Sequence, residues 1–248
     1  MRKNSNQLQY NKWWSDFTTS NAEDPGTLYR ANLIINQIKK LNVETIVDCG
    51  CGPGELIKKV FSEKQLGNLR ISGCDVADKV IESNKKAFPN LDFFTLDLNE
   101  ETKIHKNFDL AICSEVIEHL KNWKVAIYNL NQLVKGDGYL ILTTQSGKRY
   151  KHHLALGHIR HFTIEEIGSE LNKNGFEIIE GHYCGWPFMD LKNILSDNFF
   201  SRIEKSLLKA KKQNLSNRLV FKIFGFLYSV SSNKKGPQIF ILAKKRTN

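Results

Sequence analysis

Val47-Asp48-Cys49-Gly50-Cys51-Gly52-Pro53-Gly54 is the stretch on which the reading of this chain turns. It ends a short apolar run, Thr45–Cys49, that reads as a strand. It leads into Leu56, Ile57, Val60 and Phe61, spaced as on one face of a helix. Three alternate glycines, Gly50, Gly52 and Gly54, let the backbone turn sharply and admit a ligand where a Cβ would collide. The spacing is G-x-G-x-G rather than the G-x-G-x-x-G of dinucleotide sites, and an acid, Asp48, stands two residues before the first glycine.

That acid would repel a pyrophosphate, whereas the ammonium end of a sulfonium cofactor would be drawn to it. Two more acids follow the same geometry. Asp75 ends the strand Arg70–Cys74, where a carboxylate can accept hydrogen bonds from both hydroxyls of a ribose. Asp97, followed by Leu98, ends the run Leu91–Leu96, where the adenine of such a ligand would lie. Acids at three successive strand ends, all on the carboxyl edge of one sheet, form one nucleoside site.

The alternation continues along the chain. Thr27–Leu41 and Ala77–Ala87 read as helices, Phe108–Cys113 as a fourth strand, and Ala126, Leu130 and Leu133 mark a helix. Gly136-Asp137-Gly138 reads as a turn into the strand Tyr139–Thr144. Thr163–Asn174 reads as a helix with Thr163 as N-cap and Glu166 completing a capping box; Gly175 stops it before the strand Phe176–Tyr183. Gln238–Ala243 is the last strand. Strands alternating with helices predict an α/β protein with a largely parallel sheet and helices on both faces. The expected organisation is an N-terminal helical segment or lid over 1–41, a cofactor-binding core over 42–185, a basic apolar helical insertion over 186–235 and a final core strand within 236–248.

Taken together, Asp48-x-Gly50-x-Gly52-x-Gly54, Asp75, Asp97, Phe108-Asp109-Leu110 and Leu133-Val134-Lys135-Gly136-Asp137-Gly138-Tyr139 resemble the class I S-adenosylmethionine-dependent methyltransferases. The resemblance runs from about Thr45 to Tyr183 and takes in the last strand. It implies a Rossmann-like sheet of about seven strands with the last one antiparallel. It also implies S-adenosyl-L-methionine as cofactor, with Asp48, Gly50, Gly52 and Gly54 at the methionine end, Asp75 at the ribose, and Asp97 with Leu98 at the adenine. Arg30 lies upstream of the first strand, as does an arginine of the ubiquinone-pathway relatives that contacts the cofactor's carboxylate.

Ser114-Glu115-Val116-Ile117-Glu118-His119-Leu120 begins where the fourth strand ends, beside the expected sulfonium. Spacing of i, i+3 and i, i+4 places Glu115, Glu118 and His119 on one helical face. Methyl transfer is an in-line displacement that needs an aligned acceptor and, for a hydroxyl, a base; His119 suits that role chemically. This segment is similar to one in the ubiquinone-pathway O-methyltransferases, the small-RNA 3′-end methyltransferases and many surface-polysaccharide-associated methyltransferases. In some of the first two groups the acids and histidine hold a divalent metal. That resemblance implies an ion on Glu115, Glu118 and His119 with a further histidine from Gly157-His158-Ile159-Arg160-His161-Phe162-Thr163; Glu115, Glu118, His119 and His161 are the candidate catalytic residues. The same residues also admit a reading in which they only cap or pack the loop.

Composition bounds the remainder. At 248 residues, 41% hydrophobic and 25% charged, the chain suits one large decorated domain or two small ones. Met1–Gln9 is polar and does not read as a signal peptide, and no run reaches the roughly 20 apolar residues of a membrane span, so a cytoplasmic protein is expected. The five cysteines read as buried apolar residues rather than a zinc or disulfide framework. The net charge of +10 belongs to the C-terminal part: from Ser201 onward 12 Lys/Arg face one acid, while residues 1–200 carry 24 against 25 acids. A neutral body argues against a nucleic-acid groove across the site. Basic residues interleaved with Phe199, Phe200, Ile203, Leu207 and Leu208, then Leu219–Tyr228, are consistent with cover for the sheet or acceptor pocket, or with peripheral contact at the inner face of a membrane through residues 198–230. Trp13, Trp14 and Phe17 suit a lid or simple packing. The expected activity is O-methylation of a small molecule or saccharide in surface-glycan biosynthesis. RNA 2′-O-methylation and a non-catalytic cofactor-binding interaction protein are the alternatives.

Overall fold

A computed structural model of the chain describes residues 10–11, 24–198, 223, 225–228, 230–232 and 234–247. Trp13, Trp14, Phe17 and most of the basic insertion lie outside the described residues. Strand β1 (Thr45–Cys49) is flanked by β2 (Arg70–Asp75) and β4 (Phe108–Ser114), both parallel to it. β3 (Asp92–Thr95) extends one side; β5 (Val134–Gln145), β7 (Gln238–Lys245) and β6 (Phe176–Cys184) extend the other, giving the order β3-β2-β1-β4-β5-β7-β6. β7 slots between β5 and β6 and runs antiparallel to both. The expected seven-stranded, mostly parallel sheet with an antiparallel last strand is therefore present.

Side-chain alternation along these strands builds a core on each face. Leu110 and Ile112 of β4 and Phe240 and Leu242 of β7 face one side, packing with Ile34, Ile35 and Ile38 of α1 (Pro25–Ile38), Ile57 and Val60 of α2 (Glu55–Ser62), and Ile81 of α3 (Asp78–Ala87). Ala111, Cys113, Ile239 and Ile241 face the other side. They meet Ala126, Ile127 and Leu130 of α4 (Trp123–Leu133), and Ile167 and Leu171 of α6 (Ile164–Lys173). Two short helices, α5 (Lys151–Ala155) and α7 (Phe188–Asn198), lie beyond the ends of β5 and β6 in sequence. All five cysteines are buried and free, as the position of Cys49, Cys74 and Cys113 at the ends of apolar runs implies for those three.

Three local expectations are corrected. β5 begins at Val134 directly after α4, because Val134 pairs with Phe108 before the register shifts at Phe108/Leu110; Gly136–Gly138 is thus an irregularity within the strand, with Asp137 at φ 62°. Thr163 Oγ1 does accept from the Glu166 amide (3.2 Å), but the Glu166 carboxylate stands 3.7 Å from Arg160. Glu115, Glu118 and His119 do not share a helical face. Glu115 ends the strand in a left-handed conformation (φ 57°), and only Ile117–His119 form a single 3₁₀ turn.

The sheet's direction of travel reverses between β1 and β4, so a crevice opens beyond their carboxyl ends. Cys49 pairs with Cys113 there, which sets the glycine loop directly beside Ser114 and the residues that follow.

Candidate active site

The glycine loop is tied to β2 rather than left free. The Cys74 carbonyl accepts from the Gly50 and Cys51 amides (2.8 and 2.9 Å), and Asp75 Oδ2 accepts from the Gly52 amide (3.0 Å). Asp75 Oδ1 accepts from the Ala77 amide (2.9 Å), so one carboxylate joins the loops after β1 and β2. A carboxylate has about four lone-pair sites, which leaves capacity for ribose hydroxyls. Gly50 lies at φ 74°, and a Cβ there would run into the Val116 side chain. This glycine is therefore required both by its backbone and by the packing of the loop on the Ser114–Leu120 segment.

Asp48 is 4% exposed; burial, and then the neighbouring Asp75, push its carboxyl up to about 7. Burial also raises Asp75, against the loop amides that hold it down. Two buried acids side by side favour a cationic ligand, as the ammonium end of an amino acid provides. Asp97 Oδ1 accepts from the Asn99 amide (2.9 Å), and Leu98 is buried with its carbonyl accepting from Asn129 Nδ2 (3.1 Å). Tyr10, which sequence reasoning passed over, also belongs here. Its phenol is pushed up to about 12 by burial and by the charges of Asp75, Asp97 and Glu118, so it lies within electrostatic reach of all three acids. Next to it, Asn11 Nδ2 donates to Asp78 Oδ1 (2.6 Å) at the start of α3.

Across the crevice, Ser114 Oγ lies 2.8 Å from Thr143 Oγ1. Glu115 is mostly buried, and both oxygens of its carboxylate accept hydrogen bonds. Oε1 accepts from Gln238 Nε2 (2.7 Å) and Thr143 Oγ1 (3.1 Å), Oε2 accepts from Gln145 Nε2 (2.5 Å), and Arg30 Nε stands 3.8 Å from Oε1. Arg30, on α1, therefore faces the site, and its Nη2 donates to Thr27 Oγ1 (3.2 Å). Glu118 points elsewhere. It is fully buried, Oε2 accepts from Thr144 Oγ1 (2.9 Å), and Oε1 has no hydrogen-bond partner among the described residues. Burial, with Glu115 nearby, pushes its carboxyl well above the ordinary carboxylate range.

The histidines complete this half. The Ile159 amide donates to the Glu118 carbonyl (2.9 Å), pinning the 157–161 segment onto the motif and bringing the His158 and His119 rings to 4.7 Å between centroids. Ligand atoms of Glu118, His119 and His158 lie within 4.8 Å of one another. His161 stands one step behind. The Gly147 carbonyl can only accept, so it assigns a proton to His161 Nδ1 (3.2 Å). His161 Nε2 is then an acceptor for His158 Nδ1 (3.2 Å), which leaves His158 Nε2 bare as a ligand or base. Burial lowers both His119 and His158, the latter to about 3 with help from His119 and His161, so these imidazoles stay neutral. His152 and His153 of α5 extend the cluster, with the His153 ring stacked on His158 at 5.2 Å. A buried carboxylate oxygen without a donor beside two neutral imidazoles is a donor set that fits a divalent ion.

A nucleoside crevice with an acid for an ammonium end, facing buried acid and imidazole groups, defines a cofactor-dependent group-transfer site. A family model described as "Methyltransferase domain" matches residues 23–181, and the chain belongs to that family; it is an S-adenosylmethionine-dependent methyltransferase. It is similar to the ubiquinone biosynthesis O-methyltransferase of Rickettsia bellii, with 29% identity over 241 residues covering 83% of this chain and 97% of that one. It is 26% identical over 160 residues to the protein of the same name from Hydrogenovibrio crunogenus, covering 61% of this chain and 62% of the relative. Several such relatives are matched over only 45–62% of their own length. Among solved structures, phosphoethanolamine N-methyltransferase 2 of Haemonchus contortus in complex with S-adenosyl-L-methionine superposes with a TM-score of 0.58 at 16% identity. That match covers 87% of this chain and 52% of the other, and it speaks to the fold.

Proposed function

We propose that this methyltransferase methylates a hydroxyl oxygen of a small acceptor, a saccharide or related polyol used in surface-glycan assembly, bound at a divalent ion on Glu118, His119 and His158. The observation that carries the ion is the partnerless, buried Glu118 Oε1 next to two neutral imidazoles. The names of the ubiquinone O-methyltransferase relatives support oxygen as the acceptor atom. When bound, the cofactor would supply an electrophilic methyl group and leave as its thioether, and an ion held by Glu118, His119 and His158 would supply positive charge that acidifies an acceptor hydroxyl.

The chain's own residues do the rest. Asp48 holds the ammonium of the cofactor's amino-acid end, Arg30 its carboxylate, Asp75 its ribose hydroxyls, and Asp97 with Leu98 its adenine. His161 fixes the tautomer of His158, and burial keeps His119 neutral so that its lone pair stays available. A ribose diol would satisfy the same ligands, which keeps RNA 2′-O-methylation as the second reading. The nearly neutral charge of residues 1–200 favours the small acceptor.

We also propose cytoplasmic placement with peripheral membrane contact through residues 198–230. Support comes from the basic charge of that segment and from exposed Ile223, Phe226 and Val230; no helix among the described residues is long and apolar enough to cross a membrane. Sedimentation with anionic liposomes tests this, and failure to bind at low salt overturns it.

The acceptor is tested by a methyl-transfer screen across nucleotide sugars, glycans, quinone precursors and RNA, with and without exhaustive chelation. The expected result is methylation of a hydroxyl on a small acceptor, lost on chelation and restored by a divalent ion. Methylation of RNA alone, or activity untouched by chelation, would contradict the proposal.

A further inference from the structure

We infer that Glu115 is a positioning residue for the cofactor half of the site, where it orients Arg30, and is not a ligand of the ion. This rests on the ion reading above and departs from the pattern in which both acids of the segment bind metal. The first observation is geometric: Glu115 leaves the strand at φ 57°, and no atom of it belongs to the Glu118, His119 and His158 group.

The second observation is chemical. Both Glu115 oxygens already accept hydrogen bonds, from Gln238, Thr143 and Gln145. The orientation of the Gln238 amide is fixed independently, because its Nε2 also donates to the Thr144 carbonyl (2.8 Å), which can only accept. Gln238 is 1% exposed, so its amide protons cannot turn to water. A cation drawn to Glu115 would compete with one N–H from each of two glutamine amides, and each such N–H would lose its acceptor while the other stays bound to Thr144 or Gln238. That is a cost of the kind paid for any buried donor left without an acceptor.

The third observation supplies the role. Arg30 Nε faces Glu115 Oε1 at 3.8 Å while Nη2 is held by Thr27, so the guanidinium is gripped at two points. Gln145 and Gln238 pair across β5 and β7, and together they hold the carboxylate that orients the arginine. The remaining ligand set is one carboxylate and two imidazoles, which suits a borderline first-row ion such as Zn²⁺ or Fe²⁺ better than Mg²⁺; Mn²⁺, which sits between them in affinity for such sites, serves as a spectroscopic probe.

The test measures two affinities on the full chain, Mn²⁺ by calorimetry and electron paramagnetic resonance, and S-adenosylmethionine by calorimetry. Glu115→Gln should change Mn²⁺ affinity by less than about threefold while weakening the cofactor by about tenfold, whereas Glu118→Gln should weaken Mn²⁺ by about a hundredfold. Arg30→Gln should weaken the cofactor similarly, and Glu115→Gln should add little in its presence, a coupling that a merely structural role would not produce. Gln145→Met, which removes one donor to Glu115, should shift cofactor affinity in the same direction by less, and it keeps the test intact if Glu115→Gln folds poorly. Loss of Mn²⁺ in Glu115→Gln as severe as in Glu118→Gln, or additive effects of Glu115 and Arg30, overturns the inference. If the wild-type chain binds no Mn²⁺ while it binds cofactor, the ion reading fails and the Glu115–Arg30 coupling alone decides the positioning role.

Discussion

Replacing Asp48 by Asn should flatten the pH dependence of folding stability and weaken the cofactor at the same time. In the cofactor-free protein the Asp48 carboxyl is displaced from 3.8 to about 7 by burial and by Asp75. Well below pH 3.8 it is protonated in both the folded and unfolded states and contributes nothing. As pH rises, the unfolded chain releases this proton first, so stability falls until the folded-state value is passed and is flat beyond it. The full displacement is worth roughly 4 kcal/mol at about 1.4 kcal/mol per pH unit, and more than half of it falls between pH 5 and pH 8. Asn buries an amide of its own, so the absolute stability of the variant is a poor measure; the difference in slope is the useful quantity. Urea unfolding of wild type and Asp48→Asn at pH 5 and pH 8, without cofactor, should show the wild type losing roughly 2–3 kcal/mol relative to the variant. Calorimetry at pH 8 should show the variant binding S-adenosylmethionine on the order of tenfold more weakly. Parallel slopes for the two proteins, or unchanged cofactor affinity, would refute the view that this acid is kept at a cost to the fold for the sake of an ammonium group.

Other perturbations separate the parts of the account. Gly50→Ala, at φ 74° and against Val116, should lower stability by about 1–3 kcal/mol and abolish measurable cofactor binding in the same titration. His161→Ala should leave the cofactor affinity unchanged but weaken Mn²⁺ by about 10–100-fold, since it frees the tautomer of His158; unchanged Mn²⁺ binding would remove that role. At the opposite end of the sheet, Asp109 accepts from the Glu44 and Thr45 amides, the Thr45 hydroxyl and Lys135, and these partners hold its carboxyl well below the ordinary range despite the opposing effect of burial. Asp109→Asn should therefore cost about 1–3 kcal/mol at pH 7 without touching cofactor affinity. That deficit should shrink in acid, because the wild-type contribution is complete above pH 4 and is lost only as pH falls toward the depressed folded value. Urea unfolding at pH 7 and pH 3 checks the sign.

In the cofactor half of the site, the strand, glycine turn and helix around Asp48 were legible in the sequence because they are local, following one another over residues 45–62. Asp48 lies at the end of β1, Asp75 closes β2 and Asp97 follows β3, so the alternation of strand and helix was enough to place them near one sheet edge. The other half depends on contacts between residues far apart in the chain. Gln238 reaches Glu115 only because β7 inserts antiparallel beside β5 and pairs it with Gln145. The one available signal was a glutamine opening an otherwise apolar strand. Glu115 was misplaced because helical spacing assumes a helix, and a left-handed residue at the strand end breaks the period. The choice between His158 and His161 was open to spacing. It is decided by main-chain bonds from Ile159 and Arg160 to the Glu118 carbonyl. His152 and His153 were passed over, although four of the chain's seven histidines fall between positions 152 and 161, a density that could have marked the cluster.

The central claim is that the loop from Asp48 to Gly54, closed by Asp75, is a methyl-donor site. Titration calorimetry of the full chain with S-adenosylmethionine, with NAD in a parallel cell, tests it most directly. One S-adenosylmethionine should bind per chain, more weakly in Asp75→Asn, and NAD should not bind. An absence of S-adenosylmethionine binding, or binding that Asp75→Asn leaves unchanged, would contradict it.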